Sequence, residues 1–247
     1  MADKYWLDVA RGFIPGISLT KVSFQGRPTA GTGLADLWSV GGPYPFLSSG
    51  VPLNIMSTNV QDSGGGWGVG EISILGLNES YVEISENINI SGTDTVTTSN
   101  NFFRVLDVNV VSVGLSGTNM GNLQGSGTFG DGFQFEMVKD KSASLASFYT
   151  VPSGKTGYIT DMTISIFSSL WGGSQNTRAD LYTKDVDGIQ KFQTSFYVNN
   201  EGGGTLQLDN VHLEPIVEKT DVFLKNRPES TNVITAGYYN LILVDNN

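Results

Sequence analysis

The sequence predicts an all-β protein of two β-sandwich units, the C-terminal one jelly-roll-like, preceded by a short N-terminal arm. Three observations carry this. Gly, Ser, Thr and Asn together make up as large a share of the 247 residues as the 39% that is hydrophobic, which leaves few good helix formers. From Ile17 onward, short segments alternate apolar with polar residues, the period of half-buried strands. Clusters of Gly, Asn, Asp, Ser or Pro separate those segments and supply the turns.

Residues 1–16 form the arm: Tyr5, Trp6, Val9, Phe13 and Ile14 are apolar without strand alternation, and Pro15-Gly16 ends the segment. Two readings stay open for it, a turn of helix packed on its own domain or an arm docked on a partner. The expected strands then run Leu19–Phe24, Leu34–Val40, Leu53–Ser57, Gly70–Leu75, Tyr81–Ile90, Phe102–Val113 and Gly127–Val138. Gly114–Gly132, rich in Gly, Asn and Ser and lacking a sustained period, reads as a long exposed loop. A boundary at Lys139–Ser144 divides an N-terminal sandwich, 17–140, from a C-terminal one, 141–247.

The second unit continues with Leu145–Thr150, Thr156–Phe167, Arg178–Lys184, Gln190–Val198, Thr205–Leu213, Thr220–Lys225 and Ile234–Val244. In Thr156–Phe167, Tyr158, Met162, Ile164 and Ile166 supply much of one face while Thr163 and Ser165 alternate toward water. Asp185-Val186-Asp187-Gly188 is a hairpin turn that places Lys184 and Gln190 opposite each other. Seven or eight strands in this unit suit a jelly roll or a similar sandwich.

Chemistry is bounded from the start. With no Cys and one His, disulfides, thiolate metal sites and multi-His sites are excluded, and only carboxylate and carbonyl metal chemistry remains. A net charge of -10, from 14 basic and 24 acidic residues, opposes binding to a polyanion, so no nucleic-acid partner is expected. Residues 1–28 carry Lys4, Arg11, Lys21 and Arg27 against Asp3 and Asp8, so the leading segment is net +2 beside a remainder of -12. The longest apolar run is Leu241–Val244, and no apolar signal follows Met1, so a soluble, unsecreted protein with no membrane partner is expected.

Candidate constellations are weak. His212, the residue a Ser-His-Asp system would need, sits in a strand pattern with no nucleophile elbow, and reads as a surface or interface residue. Asp185 and Asp187 begin no calcium loop, because Ile189 and Phe196 occupy the fifth and twelfth ligand positions. Glu79, Glu83 and Glu86, or Glu214 and Glu218, offer carboxylates for a glycosidase pair only by spacing, and read as solvated faces. Gly64–Gly70 lacks the Lys-Ser or Lys-Thr of a phosphate loop. The Asn78 and Asn89 glycosylation patterns read as chance without a secretion signal. Trp67, Trp171, Tyr238 and Tyr239 read as core or subunit-contact residues, with stacking on sugars as the rival reading. No catalytic residue, metal or cofactor is expected.

A resemblance runs through most of the chain. Asp8–Gly16, Phe24–Arg27 and Leu37–Tyr44 open it, the last similar to an Ile-Trp-Asp-Gly-Gly-x-Tyr signature from which Ser39 departs. Leu75–Asn78, Tyr81, Glu83–Glu86, Asn101–Arg104, Val151–Tyr158, Glu218–Asp221 and Ala236–Tyr238 follow in order. In this order the chain resembles a family of tailed-phage virion proteins, common in marine and cyanobacterial phages, that decorate or cement the capsid. The resemblance implies a non-enzymatic structural protein on the capsid exterior, assembled in the host cytoplasm, with the major capsid protein and its own copies as partners, as a homotrimer. Tyr5, Trp6, Val9, Arg11, Phe13 and Ile14 would then bind the partner, and His212, Tyr238 and Tyr239 would line a subunit contact. The rival function is a tail-associated receptor- or glycan-binding protein, and a depolymerase is the least supported.

Overall fold

The structure is a computed structural model that describes residues 2–26, 33–127, 131–168, 176–199, 204–209, 214–228 and 233–246, the side chains of 2–4, 6, 168 and 228 excepted. Helix α1 (Ala2–Ala10) opens the chain. Strands β1 (Ile17–Gly26), β2 (Ala35–Asp36), β3 (Leu53–Ser57), β4 (Val69–Leu77), β5 (Glu83–Asn89) and β6 (Val96–Thr97) follow. Next come β7 (Arg104–Val113), β8 (Leu123–Gly127), β9 (Phe133–Met137), β10 (Tyr149–Thr150) and β11 (Lys155–Ser168). The chain ends with β12 (Asn176–Lys184), β13 (Gln190–Asn199), β14 (Thr205–Asp209), β15 (Asp221–Pro228) and β16 (Val233–Asp245). The fold is all-β, as its composition and alternation require.

Two units divide the chain, residues 1–37 with 147–247 and residues 38–146. In the first unit one sheet runs β1-β16-β11-β14 and the other β10-β15-β12-β13. Counting its eight long-path strands in chain order, the first sheet holds the first, eighth, third and sixth, and the second holds the second, seventh, fourth and fifth. That is the double Greek-key order of a jelly roll. The boundary at 139–144 and a first sandwich beginning at residue 17 are therefore corrected. β1 pairs with β16 in unbroken register from Ile17↔Val244 to Gly26↔Thr235, so the first strand of the jelly roll lies near the N-terminus. Local periodicity shows that a strand exists, and says nothing of a partner two hundred residues away.

The second strand of that jelly roll is split. β2 pairs with β15 at Asn226↔Ala35 and Lys225↔Asp36, and the Leu37 amide donates to Leu224 O at 2.9 Å. The same edge of β15 is then taken up by β10 at Tyr149↔Val222 and Thr150↔Asp221. The inner faces carry Val22, Phe24, Met162, Ile164, Leu181, Leu224 and Leu241, all buried. Phe24 and Tyr239 have ring centroids 6.5 Å apart. A polar knot of Thr177, Asn226 and Thr235 is buried among them, each hydroxyl or amide bonded to the next.

The second unit, 38–146, is a sandwich of sheets β6-β3-β8-β9 and β5-β4-β7. Leu53, Ile55, Ile72, Ile74, Phe102, Val108, Leu123 and Phe135 form its core. β8 lies inside the segment read as a loop. Its inward positions are Leu123, Gly125 and Gly127, and a Cβ on Gly125 would sit 2.0 Å from the Phe135 ring. Glycine at the inward positions removes the apolar alternation that would have marked the strand, while making room for the Phe on β9. The expected strands Leu34–Val40 and Leu145–Thr150 shrink to the two-residue β2 and β10.

Candidate interaction surface

The arm is helical and capped. Gly12 takes φ +72 just past α1, the Phe13 amide donates to Asp8 O at 2.8 Å and the Gly12 amide to Val9 O at 2.9 Å. This is the paired hydrogen bonding of a Schellman stop, whose left-handed residue glycine accepts without strain. α1 lies against β1 and buries Val9, so part of the arm belongs to the first unit's own packing. Tyr5, Leu7 and Phe13 stay exposed, Phe13 at 66%, Arg11 is exposed and Ile14 is half-buried. The Trp6 side chain lies outside the described residues.

The arm runs directly onto the outer face of the first sheet, the Ile17 amide donating to Ile14 O at 3.3 Å. Outward positions line up across strands. Leu19 on β1 faces Ile242 on β16, which faces Tyr158 on β11. Leu19 and Tyr158 are exposed while Ile242 between them is nearly buried. Beside that row stands Ile17↔Val244, and beyond it a polar row, Lys21, Asn240, Asp161 and Asp209. Asn240 Nδ2 donates to both oxygens of Asp161, at 2.8 and 3.0 Å. Lys21 Nζ lies 4.4 Å from the Tyr238 ring centre, a cation–π contact on the same face. One end of this face is thus apolar, and the middle is polar.

Of the residues expected at a subunit contact, Tyr238 is half-buried on this outer face. Tyr239 points the other way. It is fully buried between the sheets, and its hydroxyl donates to Ser147 O at 2.9 Å. Burial pushes its phenol well above the usual value, with the Tyr149 phenol adding to the effect. Successive strand side chains alternate between faces, so Tyr238 and Tyr239 do not share one surface. His212 and Trp171 lie outside the described residues.

The second sheet's face away from the jelly-roll core is aromatic and charged, and Phe148, Phe223, Asp36 and Asp180 on it are buried. Phe148 stacks on Phe223 at 5.6 Å and Phe223 on Tyr182 at 6.0 Å, and Phe192 meets Tyr182 edge-on at 5.8 Å. In the next row Lys225 pairs with Asp36 at 3.5 Å, and buried Asp180 accepts from Arg178 Nε at 2.7 Å and from the Ser195 hydroxyl.

A cleft of about 220 Å³ is lined by residues including Thr183, Asp185, Lys191, Gln193, Glu214 and Ile216. Its polar groups satisfy one another: Lys191 Nζ is 3.2 Å from Asp185, and Gln193 Nε2 donates to Thr183 at 2.8 Å. Asp185 accepts the Ile189 amide at 3.0 Å within the expected hairpin, Lys184 faces Gln190, and that amide holds the Asp185 carboxyl below its ordinary value, with Lys191 adding to it. Among the described residues no three His, Cys, Asp or Glu side chains could hold a metal.

Three of the five glutamates that spacing offers for a glycosidase pair, Glu79, Glu86 and Glu218, hold loops. Glu79 accepts the Gly50 amide at 2.7 Å, and Glu86 accepts those of Ser99 and Asn100, both at 2.8 Å. Glu218 accepts from the Gly154 amide and the Ser153 hydroxyl, which lower its pKa from the ordinary carboxylate value.

Asp62 belongs to no motif in the sequence, yet it anchors several loops. Fully buried in the second unit, it accepts four hydrogen bonds, from Ser57 Oγ at 2.6 Å, the Val69 and Met120 amides at 2.9 Å and the Gly121 amide at 2.8 Å. Only its place in an otherwise uncharged stretch, Val51–Gly70, singles it out in sequence.

The chain matches no protein-family model and no curated protein. It is similar, weakly, to a solved structure of the infectious bursal disease virus Gt strain, at 11% identity and a TM-score of 0.18, over 94% of this chain and 74% of that one. A second is the crystal structure of the infectious bursal disease virus VP2 subviral particle, at 9% identity and a TM-score of 0.21, over 94% and 73%. At such scores neither likeness carries an argument.

Proposed function

We propose that the chain is a non-enzymatic virion structural protein of the capsid decoration type, which binds the major capsid protein on the head exterior as a homotrimer. The fold alone does not choose this, since jelly rolls serve capsids and lectins alike. The observation that carries the proposal is that the arm, though Val9 is buried, leaves Tyr5, Leu7 and Phe13 exposed, and that Leu19 and Tyr158 are exposed on the sheet it leads into. The ordered resemblance to decoration proteins, which includes the arm's Asp8–Gly16, supports it. Burying a side chain such as Phe13 or Leu7 against a neighbour contributes about 1.5–3 kcal/mol, and repetition over a shell multiplies the effect. Arg11, beside them, supplies the positive charge.

Because Val9 is part of the unit's packing, truncating the arm would confuse docking with folding. The test is the double variant Leu7→Ala and Phe13→Ala, whose side chains are exposed. Co-sedimentation with undecorated capsids should fall at least tenfold in affinity, with thermal melting unchanged. Wild-type occupancy by that variant would remove the arm as the anchor.

A further inference from the structure

Three loops meet at one end of the second unit. The Gly68 amide donates to Gln61 O at 2.9 Å, the Gly114 amide to Gly68 O at 2.7 Å and the Ser116 amide to Trp67 O at 2.9 Å. Ser116 Oγ also donates to Trp67 O, at 2.7 Å. Asp62, buried beneath, ties the first loop to Met120 and Gly121. A Cβ on Gly66 would lie 2.1 Å from Gln61 O, and one on Gly68 1.9 Å from Asp62 Oδ1, so these backbones touch and cannot shift independently. On this fixed platform stand Trp67, 60% exposed, Leu115, 88% exposed, and Val60, 65% exposed.

Large apolar side chains on the best-bonded loops of an acidic protein need an occupant. The loops themselves carry no exposed charge: from Val51 to Gly70 the only ionisable residue is the buried Asp62, from Val108 to Gly130 there is none, and the exposed Lys139, Asp140 and Lys141 that bond to Asn119 and Asn122 stand at the border of the tip. Asp94, on the turn that packs against Val60, marks its edge. Around the apolar centre the bordering charges, Asp94 and Asp140 against Lys139 and Lys141, balance, which suits an identical copy better than a strongly charged partner. Two chains of net charge -10 repel across most of their surfaces, and an uncharged patch is where they can meet without opposing like charges. Interface cores are depleted of charge and enriched in Trp. A rigid loop also pays little ordering entropy on binding.

We infer that Trp67, Leu115 and Val60 form the contact between copies of this chain. The inference deepens the self-association in the proposed function and rests on it, but it is tested without capsids. Sedimentation velocity of the full chain should show an oligomer at micromolar concentration. Trp67→Ser with Leu115→Ser should weaken self-association about thirty-fold or more at unchanged melting temperature. Leu115→Glu and Leu115→Lys should each be monomeric alone and should associate when mixed. A wild-type chain that stays monomeric at high micromolar concentration overturns the inference, as does a serine double variant that associates normally. A monomer whose Trp67 fluorescence instead responds to neutral oligosaccharides overturns it in favour of sugar binding. Loss of capsid binding by a chain that still self-associates through the tip would strike the proposed function alone.

Discussion

The amide of Ser147 donates to the carbonyl of Leu37 at 3.0 Å, although residues 38–146 lie between them. In the second unit Trp38 and Ala146 form an antiparallel bridge immediately beyond. The chain therefore leaves the jelly roll and re-enters it at one point of one edge strand. Joining Leu37 to Ser147 through two or three glycines should leave a folded jelly roll, and residues 38–146 alone should fold as well. Calorimetry should give one cooperative transition for each piece. A molten product from the joined chain, with no near-ultraviolet circular dichroism, would show that the sandwich is needed to hold β2 and β10 together.

Asp62→Ala should be among the most damaging single changes in the second unit. It removes a buried acceptor and strands the amides of Val69, Met120 and Gly121, at a cost of about 3–5 kcal/mol. Gly68→Ala should do comparable harm by driving a methyl group into the same carboxylate. Urea unfolding of the isolated 38–146 unit measures both.

Tyr239→Phe should cost about 1 kcal/mol through loss of the bond to Ser147, and should leave oligomeric state unaltered. The pH dependence has a definite sign. The folded phenol titrates well above the usual 10.0, so its contribution is complete below that value and is lost as pH rises through the folded pKa. The phenylalanine variant should lose less stability than the wild type between neutral and strongly alkaline pH. Equal losses in parallel denaturant titrations would contradict the assignment.

Glu218→Gln should lower the melting temperature at neutral pH, because the ionised carboxylate is the better acceptor for Gly154 and Ser153. The folded pKa is depressed, so the stabilisation is present above the ordinary glutamate value and vanishes as pH falls through the folded one. Wild type and variant should therefore converge in acid. A constant gap down to low pH would assign the effect to packing.

Much of this architecture was legible in sequence, and the failures share causes. Strands such as β11, β12 and β16 announce themselves by stretches of alternation or short apolar runs between turn clusters, and the Asp185–Gly188 turn because its chemistry is local. β8 was hidden by glycines at inward positions. The pairing of β1 with β16, and hence the true unit boundaries, was hidden because partners distant in sequence leave no local mark. At the candidate surfaces, exposed Tyr5 and Phe13 were legible as apolar residues outside any periodic pattern. Val9 was not separable from them, since a single turn of helix decides which side faces in. Trp67 was legible as a contact residue and Asp62 as the one charge in Val51–Gly70, but the loop closure that joins them exists only in three dimensions.

The register of β1 against β16 also sets a timetable. β1 leaves the ribosome long before its ladder partner β16 is made. At about 5–20 residues per second the wait is on the order of tens of seconds. During that interval Val22 and Phe24 are without the sheet that buries them, while residues 38–146, made entirely within it, can close their own core. A nascent chain stalled near residue 200 should show the inserted sandwich resistant to protease and the segment 17–26 open to cleavage. For this protein the insertion is thus completed before its host, and the strand most in need of protection during synthesis is the one nearest the arm.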